Sequence, residues 1–251
     1  MSRKKELRQS KIRQILLEES RVRVTDLAKR LGVTPETLRN DISEMEAQSL
    51  LIREHGYARI QNPMQETPLL FRNQENAEAK KRVGIRALNE IQDGSVVFLD
   101  SGSTVLLGIP ALQGKKSLTI VTNSLPLAQQ CAAFNFDILF TGGMIYNVGL
   151  RAYGTFAIEI IDHVHIDLAI MGTDGFKDCE GFTSTNINEL GFKRHVMNQT
   201  EKLIMVTDSS KFHDKAPFTF CKFREFDMLV TNEISQDDLN LVKDIKKIIQ
   251  V

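Results

Sequence analysis

Small and polar residues follow five apolar segments in the larger, C-terminal part of the sequence. The first of these turns, Asp100-Ser101-Gly102-Ser103-Thr104, combines hydroxyls with a glycine that lets the backbone approach a ligand closely. Hydroxyls and the free amides of a helix start hold anions such as phosphate, and Lys211 in the last turn would add a positive charge. The sequence therefore predicts a site for a polar, anionic ligand. The residues that we expect to contact this ligand are Asp100, Ser101, Gly102, Ser103, Thr104, Thr122, Asn123, Ser124, Gly142, Gly143, Gly172, Thr173, Asp174, Asp208 and Lys211.

Three further cations could contact the same ligand. Arg151 precedes an alanine, and Lys193 and Arg194 are predicted to lie on one helix. The alternative for these cations is that they lie on a solvated surface. For residues 101–104 the alternative is simple helix capping, and for residues 142–143 it is a plain turn. The chain contains neither GxGxxG nor GxxxxGK[ST], so we predict no binding of dinucleotides or nucleoside triphosphates.

Short apolar segments alternate with helical patterns throughout this part of the chain. Such segments are typical of buried parallel strands, and a helix rich in Lys and Arg, from about Asn73 to Ile91, precedes the first of them. The alternation predicts a doubly wound α/β domain, in which ligands bind beyond the carboxyl ends of the strands. The predicted strands are Val96–Leu99, Leu118–Val121, Ile138–Phe140, Leu168–Met171, Leu203–Val206 and Met228–Val230.

The first sixty residues predict three helices, the second and third joined by a tight turn. One helix runs from about Lys4 to Glu18. Thr25 should cap the second helix, which Gly32 ends in a left-handed conformation. Thr34 should cap the third, with Pro35 at its first helical position. The apolar stripe of this third helix consists of Leu38, Ile42 and Met45.

The opposite face of the third helix suits the major groove of DNA. Arg39 and Asn40 lie on that face, and Arg pairs with guanine edges as Asn does with adenine edges. Strands at Leu50–Arg53 and Tyr57–Ile60, around the turn at 54–56, predict a hairpin wing that could contact phosphates or the minor groove. A three-helix module that docks a protein is the alternative, which the wing disfavours. The candidate DNA contacts are Thr25, Thr34, Pro35, Glu36, Thr37, Arg39, Asn40, Arg53, His55 and Arg59.

The charge of the chain is unevenly distributed. The 251 residues carry 32 basic and 32 acidic side chains, but residues 1–61 contain 13 Lys and Arg against 9 Asp and Glu. A basic N-terminal module joined to a more acidic C-terminal part is expected where only the N-terminal module contacts phosphates. Gln61–Pro68 has no apolar period and contains two prolines. We therefore predict a winged helix-turn-helix domain at 1–61, a linker at 62–74 and a ligand-binding domain at 75–251.

Cysteine usage and hydropathy indicate a cytoplasmic protein. Cys131, Cys179 and Cys221 are widely spaced and form no CxxC pair, which favours neither a disulfide framework nor a zinc site. The basic start at 1–5 is not followed by an apolar run, so we predict no signal peptide. No stretch approaches the ~20 apolar residues of a membrane helix. We expect no metal, no cofactor and no membrane partner.

These motifs resemble the DeoR family of bacterial regulators of sugar metabolism. The N-terminal resemblance lies in residues 24–28 and 31–41 and in Arg53-Glu54-His55-Gly56. In the C-terminal part, five elements between residues 100 and 211 occur in the order usual for the family. Asn40 stands where a second Arg is usual and Tyr57 where a second Gly is usual. Because both positions bear on the operator sequence, we do not carry over the operator of a relative.

The resemblance implies both a fold and a function. The C-terminal domain would be related in fold to ribose-5-phosphate isomerase and would bind a phosphorylated sugar whose occupancy alters DNA affinity. On family grounds the protein would be a repressor of a sugar or polyol utilisation operon. A small helix-turn-helix reads few base pairs, so we expect a homodimer or tetramer on double-stranded operator DNA. The alternative is a sugar-phosphate isomerase or hydrolase with Asp100, Asp174 or Asp208 as general base, but we expect no enzyme.

Overall fold

The computed structural model describes residues 3–19, 21–48, 50–60 and 66–251. The chain divides into two compact units, Met1–Glu75 and Asn76–Val251. The linker predicted at 62–74 falls partly on residues 61–65, which lie outside the described residues. Within its remainder a short helix forms, and Phe71 is buried in the core of the first unit. This stretch therefore belongs to a folded unit and is not a free linker.

The first unit combines helices with a three-stranded antiparallel sheet. Its elements are α1 (Arg3–Glu19), β1 (Arg21–Arg23), α2 (Val24–Leu31), α3 (Pro35–Ala47), β2 (Leu51–Glu54), β3 (Tyr57–Ile60) and α4 (Leu69–Arg72). The strand order is β1-β3-β2, and β2 and β3 form the wing. Leu38, Ile42 and Met45 are fully buried, which confirms the predicted stripe of α3. The unit is a winged helix-turn-helix.

The turn between α2 and α3 has the predicted caps. Gly32 adopts a left-handed φ of 63° and ends α2. Thr34 Oγ1 accepts a hydrogen bond from the Thr37 amide at 3.2 Å, and Pro35 is the first residue of α3. Both predictions for this turn are confirmed.

The start of α2 differs from the prediction. The helix begins at Val24, after Arg23, and Thr25 lies exposed inside its first turn, so the predicted cap at Thr25 is wrong. The reason is β1, which pairs with β3 and brings the Val24 amide to the Gly56 carbonyl at 3.0 Å. This backbone bond satisfies the amide of the first residue of α2, one of the helix-start donors that have no partner within the helix.

The second unit is an α/β domain built on a parallel sheet. Its elements are α5 (Ala77–Leu88), β4 (Val96–Leu99), α6 (Ser103–Gly108), β5 (Thr119–Thr122), α7 (Leu125–Cys131), β6 (Asp137–Phe140), β7 (Met144–Tyr146), β8 (Arg151–Tyr153), α8 (Thr155–Asp162), β9 (Ile166–Gly172), β10 (Thr183–Ser184), α9 (Asn188–Asn198), β11 (Thr200–Val206), β12 (Phe218–Thr219), β13 (Met228–Thr231), α10 (Gln236–Leu241) and β14 (Lys247–Gln250). Short 3-10 helices, among them Ser209–Phe212, complete the unit. In the part of the chain that the structure describes, no helix is both long enough and apolar enough to cross a bilayer.

The seven parallel strands lie in the order β14-β13-β11-β9-β4-β5-β6. All six predicted strands are present, and the predicted α/β architecture is confirmed. Of the seven strands in this sheet, β14 alone was not predicted; it is an edge strand whose two apolar side chains are only half-buried, so its sequence lacks a buried apolar run. From β4 the strands are added first on one side and then, from β9, on the other. Ligands bind outside the carboxyl ends of strands at such a switch point.

The helix predicted from Asn73 begins four residues later, at Ala77. Asn76 adopts φ 54° and ψ 32°, a left-handed conformation that interrupts the helical pattern. Further along α5, Gly84 packs directly on α6: a Cβ at this position would lie 2.3 Å from the Thr104 carbonyl oxygen. The close approach fixes the turn between β4 and α6 against α5.

Buried phenylalanine side chains next to two of the polar turns pack together in an aromatic cluster. The ring centroids of Phe176 and Phe182 are 5.1 Å apart and those of Phe176 and Phe212 are 4.7 Å apart, both edge to face. Phe176 follows Asp174 closely, and Phe212 follows Lys211 directly. Burial of these rings therefore holds the turns after β9 and β11 in place.

Candidate ligand site and nucleic-acid interface

Asp100 lies directly after β4, at the switch between β4 and β9. Its Oδ2 accepts hydrogen bonds from the Gly172 amide at 2.9 Å and from Lys193 Nζ at 2.7 Å, and its Oδ1 accepts from the Ser101 amide at 2.8 Å. Lys193 Nζ also donates to the Gly172 carbonyl at 2.8 Å. Both charged side chains are buried. A buried ion pair thus joins the turn after β4, the end of β9 and helix α9.

Both members of this pair are charged at neutral pH. Burial alone would raise the pKa of Asp100, but the Lys193 ammonium and the backbone amides hold that pKa below its ordinary value. Burial alone would lower the pKa of Lys193, but Asp100 and Glu189 raise it above its ordinary value. A carboxylate with a lowered pKa is a weak base, so Asp100 is poorly suited to abstract a proton.

A second polar network meets the first on α9. Arg151, the first residue of β8, is buried and forms an ion pair with Glu189. Ser184 Oγ lies 2.5 Å from Glu189 Oε2 and 3.3 Å from Asp174 Oδ2. Glu189 and Lys193 are four residues apart on one helix, so they share a face. The network therefore connects β8, the turn after β9 and α9.

The turn after β11 is organised around Asp208. This residue is 1% exposed, and its Oδ1 accepts from Ser210 Oγ at 2.6 Å and from Asn76 Nδ2 at 2.9 Å. Lys80 Nζ on α5 lies 3.8 Å from Oδ2. Burial alone would raise the pKa of Asp208, but Lys80 and Lys211 hold it below its ordinary value. Asp208 is therefore an anion with donors on several sides.

Lys211 belongs to the same group of charges. Its Nζ pairs with Asp214 Oδ2 at 2.7 Å. Burial alone would lower the pKa of Lys211, but Asp214, Asp208 and Asp174 raise it. Asp174 also raises the pKa of Lys193. The two lysines therefore lie within electrostatic reach of a common carboxylate.

The turns after β5 and β6 contain both structural and unsatisfied polar groups. Thr122 Oγ1 donates to the Leu99 carbonyl at 2.7 Å, and Ser124 Oγ caps α7. Asn123 Oδ1 and Thr141 Oγ1 are buried and have no hydrogen-bond partner among the described residues. Buried polar atoms of this kind are costly unless something pairs with them. A hydroxyl-bearing ligand could supply the missing partner.

Gly143 is required by the β7–β8 hairpin. It adopts φ 102°, and a Cβ there would lie 2.4 Å from the Tyr153 carbonyl oxygen. Gly142 also has a positive φ, of 67°. These glycines thus fit the alternative of a turn, and their contact with a ligand stays a prediction.

Most of the remaining candidates lie within the turns, and one, Arg194, is exposed. Thr173 Oγ1 donates to the Thr183 carbonyl at 2.9 Å and so braces the turn after β9. Gly102 caps α6 with ordinary extended backbone angles. Arg194 points to the exposed surface, where it pairs with Glu225 at 2.7 Å, so the alternative of a solvated surface applies to it and not to Lys193. The buried members of the first turn are Asp100, Ser101, Ser103 and Thr104.

Sequence reasoning missed several residues of these networks. Glu189 could have been found, because its spacing of four from Lys193 places both on one face of a predicted helix. Ser184 follows a buried strand residue and carries no distinctive signal. Asn76 and Lys80 precede the sheet and reach Asp208 only through the fold.

In the first unit, α3 presents its polar face outward. The buried face is fixed by Asp41, whose carboxylate accepts hydrogen bonds from Arg8 Nε and Nη2 of α1 at 2.5 and 3.1 Å. Thr37 is half-buried, and its hydroxyl lies 2.9 Å from that of Thr34. The exposed residues of this face are Thr34, Pro35, Glu36, Arg39, Asn40 and Ser43.

Strand β1, which pairs with the wing strand β3, brings a further positive charge next to the wing. β1 places Arg21 directly opposite Arg59, and the Arg21 guanidinium lies 4.0 Å from the centroid of the Tyr57 ring. Arg23 Nε donates to the Tyr57 hydroxyl at 2.7 Å, and Arg59 pairs with Glu54 at 3.0 Å. Like charges directly opposite one another destabilise a sheet, and here the Tyr57 ring and the Glu54 carboxylate lie against the two guanidinium groups. Also exposed are Thr25, Arg53 and His55.

No metal centre is found in the stretches that the structure describes: they contain no cluster of three or more His, Cys, Asp or Glu side chains placed to hold an ion.

Curated relatives of this chain match along most of its length. The HTH-type transcriptional regulator GolR of Listeria innocua is 28% identical over 227 residues, which cover 90% of this chain and 89% of the relative. The glycerol-3-phosphate regulon repressor of Escherichia coli strain K12 is 27% identical over 206 residues, covering 82% of each chain. The HTH-type transcriptional regulator GlpR of Haloferax volcanii is 27% identical over 210 residues, covering 83% and 82%.

Among solved structures, ribose 5-phosphate isomerase A from Neisseria gonorrhoeae superposes with a TM-score of 0.39 and 19% identity, over 53% of this chain and 52% of that one. A superposition this loose carries no conclusion about activity.

Two family models identify the family of this chain: the "DeoR-like helix-turn-helix domain" matches residues 8–64, and the "DeoR C terminal sensor domain" matches residues 75–233. The two matches cover most of each unit described above, and the protein belongs to the DeoR family of transcriptional regulators.

Proposed function

We propose that this regulator represses a sugar or polyol operon and that a phosphorylated sugar, bound beyond the carboxyl ends of the parallel strands, controls its affinity for operator DNA. The observation that carries the proposal is the set of cations at this edge, Arg151, Lys193 and Lys211, which share the carboxylates Asp174 and Glu189. A phosphate could replace one of these carboxylates as counter-ion. The relatives include a repressor named for a glycerol-3-phosphate regulon, which supports a phosphorylated metabolite.

The polar end of the ligand would contact the small residues of the turns. Asn123 Oδ1 and Thr141 Oγ1 are buried without a protein partner, among the described residues, and a sugar hydroxyl would satisfy them. We propose as effector contacts Asp100, Ser101, Gly102, Ser103, Thr104, Thr122, Asn123, Ser124, Gly142, Gly143, Arg151, Gly172, Thr173, Asp174, Asp208 and Lys211, together with Lys193.

We propose that α3 enters the major groove and that the wing contacts the backbone or the minor groove. The exposed Arg39 and Asn40 support base contacts, and Arg21, opposite Arg59, adds charge to the wing. The remaining proposed contacts are Thr25, Thr34, Pro35, Glu36, Thr37, Arg53 and His55. Because one such unit reads few base pairs, the regulator would act as a homodimer or tetramer, and its DNA partner places it in the cytoplasm.

We propose further that the protein is not an enzyme. Asp100 and Asp208 both accept several hydrogen bonds from the chain, and both have pKa values below the ordinary value, so each is a weak general base. Incubation with pentose and hexose phosphates tests this. Sustained turnover that is abolished by Asp208→Ala would overturn it.

A ligand screen followed by DNA binding tests the main proposal. Thermal unfolding is measured with phosphorylated sugars and polyols, because a ligand that binds only the native state raises the midpoint. Each compound is paired with its unphosphorylated counterpart and with inorganic phosphate as controls. We expect a phosphorylated compound alone to stabilise the protein and to weaken its binding to a duplex selected from a random library.

Two variants assign the response to the site. Lys211→Ala and Ser103→Ala should bind the selected duplex like the wild type and should lose the response to the stabilising compound. If no phosphorylated compound changes either property, the proposed effector class is wrong. If the wild type selects no duplex, the proposal as a whole fails.

A further inference from the structure

Two adjacent residues where the units join are each held by a side-chain hydrogen bond within their own unit. Glu75, the last residue of the first unit, accepts from Arg13 Nη1 of α1 at 3.1 Å. Asn76, the first residue of the second unit, donates from Nδ2 to Asp208 Oδ1 at 2.9 Å. A single peptide bond therefore joins Glu75, which is hydrogen-bonded within the DNA-binding unit, to Asn76, which is hydrogen-bonded to the candidate sugar-phosphate site.

The backbone of Asn76 defines how the chain enters the second unit. Its left-handed φ of 54° is a conformation that Asn tolerates better than most residues. The Asn76 carbonyl accepts from the Lys80 amide at 2.9 Å and so begins α5. The bond from the Asn76 side chain to Asp208 thus ties the start of α5 to the turn after β11.

Asp208 links this anchor to the cations of the site. Its Oδ1 also accepts from the Ser210 amide at 3.1 Å and from Ser210 Oγ at 2.6 Å, and Lys80 Nζ lies 3.8 Å from its Oδ2. Lys211 follows in the same short helix. An anion bound at Lys211 would compete with Asp208 for the donors of this turn. The carboxylate would then lose or redirect hydrogen bonds, including the one to Asn76.

We propose, resting on the function proposed above, that Asp208 and Asn76 are positioning residues that couple occupancy of the sugar-phosphate site to the peptide bond leading into the DNA-binding unit. Coupling between two ligands is reciprocal, so operator binding changes the affinity of the site for the sugar phosphate by the same factor as the sugar phosphate changes DNA affinity. On this proposal, operator binding acts through the hydrogen bonds of the Asp208 turn. The coupling can therefore be measured with the duplex alone.

The test is hydrogen–deuterium exchange of the full-length protein, with and without a saturating duplex selected from a random library. The reporter is the Ser210 amide, which donates to Asp208. In the wild type we expect duplex binding to change its exchange rate by about fivefold or more. Asn76→Gly keeps the left-handed backbone and removes the side-chain amide, so the change should be lost.

Asn135→Gly is the matched control, because Asn135 also has a left-handed φ, of 60°, in the same unit and is not bonded to Asp208. This variant should keep the wild-type response. A response that persists in Asn76→Gly, or is absent in a wild type that binds duplex, overturns the coupling and leaves the proposed function standing. Failure of the wild type to bind any duplex overturns both.

Thermal unfolding separates coupling from a folding defect. If Asn76→Gly does not fold, Asn76→Asp replaces it, since Asp tolerates the same backbone and sets a carboxylate against Asp208. Loss of folding in both variants would identify Asn76 as a folding determinant and would overturn the coupling role.

Discussion

Lys193→Met leaves the buried Asp100 carboxylate without its counter-ion. Removal of one partner of a buried ion pair costs about 3–5 kcal/mol, because the remaining charge is uncompensated. We therefore expect a clear fall in the urea midpoint at neutral pH. The double variant Asp100→Asn, Lys193→Met removes both charges and should recover much of the loss. A double variant as unstable as the single one would mean that packing, not charge, dominates here.

The same pair predicts the sign of a pH dependence. The pKa of Asp100 in the folded state lies below its value of about 3.9 in the unfolded chain. Its stabilising contribution is therefore fully present above the unfolded pKa and is lost as the pH falls through the folded pKa. On acidification below about pH 4, the stability of the wild type should fall relative to that of the double variant, measured by urea unfolding. A difference between the two that stays constant with pH would contradict this account.

Arg39 is exposed on the polar face of α3. If it makes a bidentate contact to a base, Arg39→Ala should weaken binding to the selected duplex by about 1–3 kcal/mol and relax specificity at one base pair. Fluorescence anisotropy with single-base variants of the duplex measures both effects. Arg82→Ala, which removes an equal charge from an exposed position on α5, is the control and should leave both unchanged. Unaltered affinity in Arg39→Ala would remove Arg39 from the recognition set.

At the scale of elements, the contact between α5 and α6 depends on Gly84. A Cβ at this position would lie 2.3 Å from the Thr104 carbonyl oxygen and 2.8 Å from the Gly108 Cα, both backbone atoms that cannot rotate away. Gly84→Ala should cost about 1–3 kcal/mol through overpacking and should shift the turn that carries Ser103. Gly191→Ala is the control, because the added Cβ on α9 meets only the Ile158 Cδ1 at 3.8 Å.

Both glycines lie within helices, where alanine is intrinsically favoured by about 1 kcal/mol. Chemical unfolding should therefore show Gly191→Ala neutral or more stable and Gly84→Ala less stable. Equal behaviour of the two variants would show that the α5–α6 contact relaxes without cost.

The elements that sequence predicted best are those with a buried apolar run or a local cap. Thr34 and Gly32 act through neighbours three or four residues away, so their roles could be predicted from the sequence. β1 could not, because three residues with one buried side chain give no periodic signal, and its pairing with β3 is what displaces the predicted cap at Thr25. Local patterns therefore fail where a tertiary pairing supplies the hydrogen bond.

At the scale of the whole molecule, the sequence predicted which turns share an edge but not which side chains meet. Parallel strands send their carboxyl ends to one edge, so the polar turns had to gather there. The partners depend on strand order and on distant segments: Lys193 and Asp100 are 93 residues apart, and Asn76 and Asp208 are 132 apart. Those separations explain why Asn76 and Lys80 escaped prediction.

The three cysteines all lie in the second unit and so report its unfolding separately from that of the first. Burial raises the pKa of the Cys131 and Cys221 thiols to about 12, whereas Cys179 is only half-buried. Since the thiolate is the reactive form, an aromatic disulfide reagent should label Cys179 promptly in the native protein and the other two only as the unit opens. Cys179→Ser should abolish the fast phase and leave the slow one. Prompt labelling of more than one thiol would mean that the core around Cys131 or Cys221 opens without global unfolding of this unit.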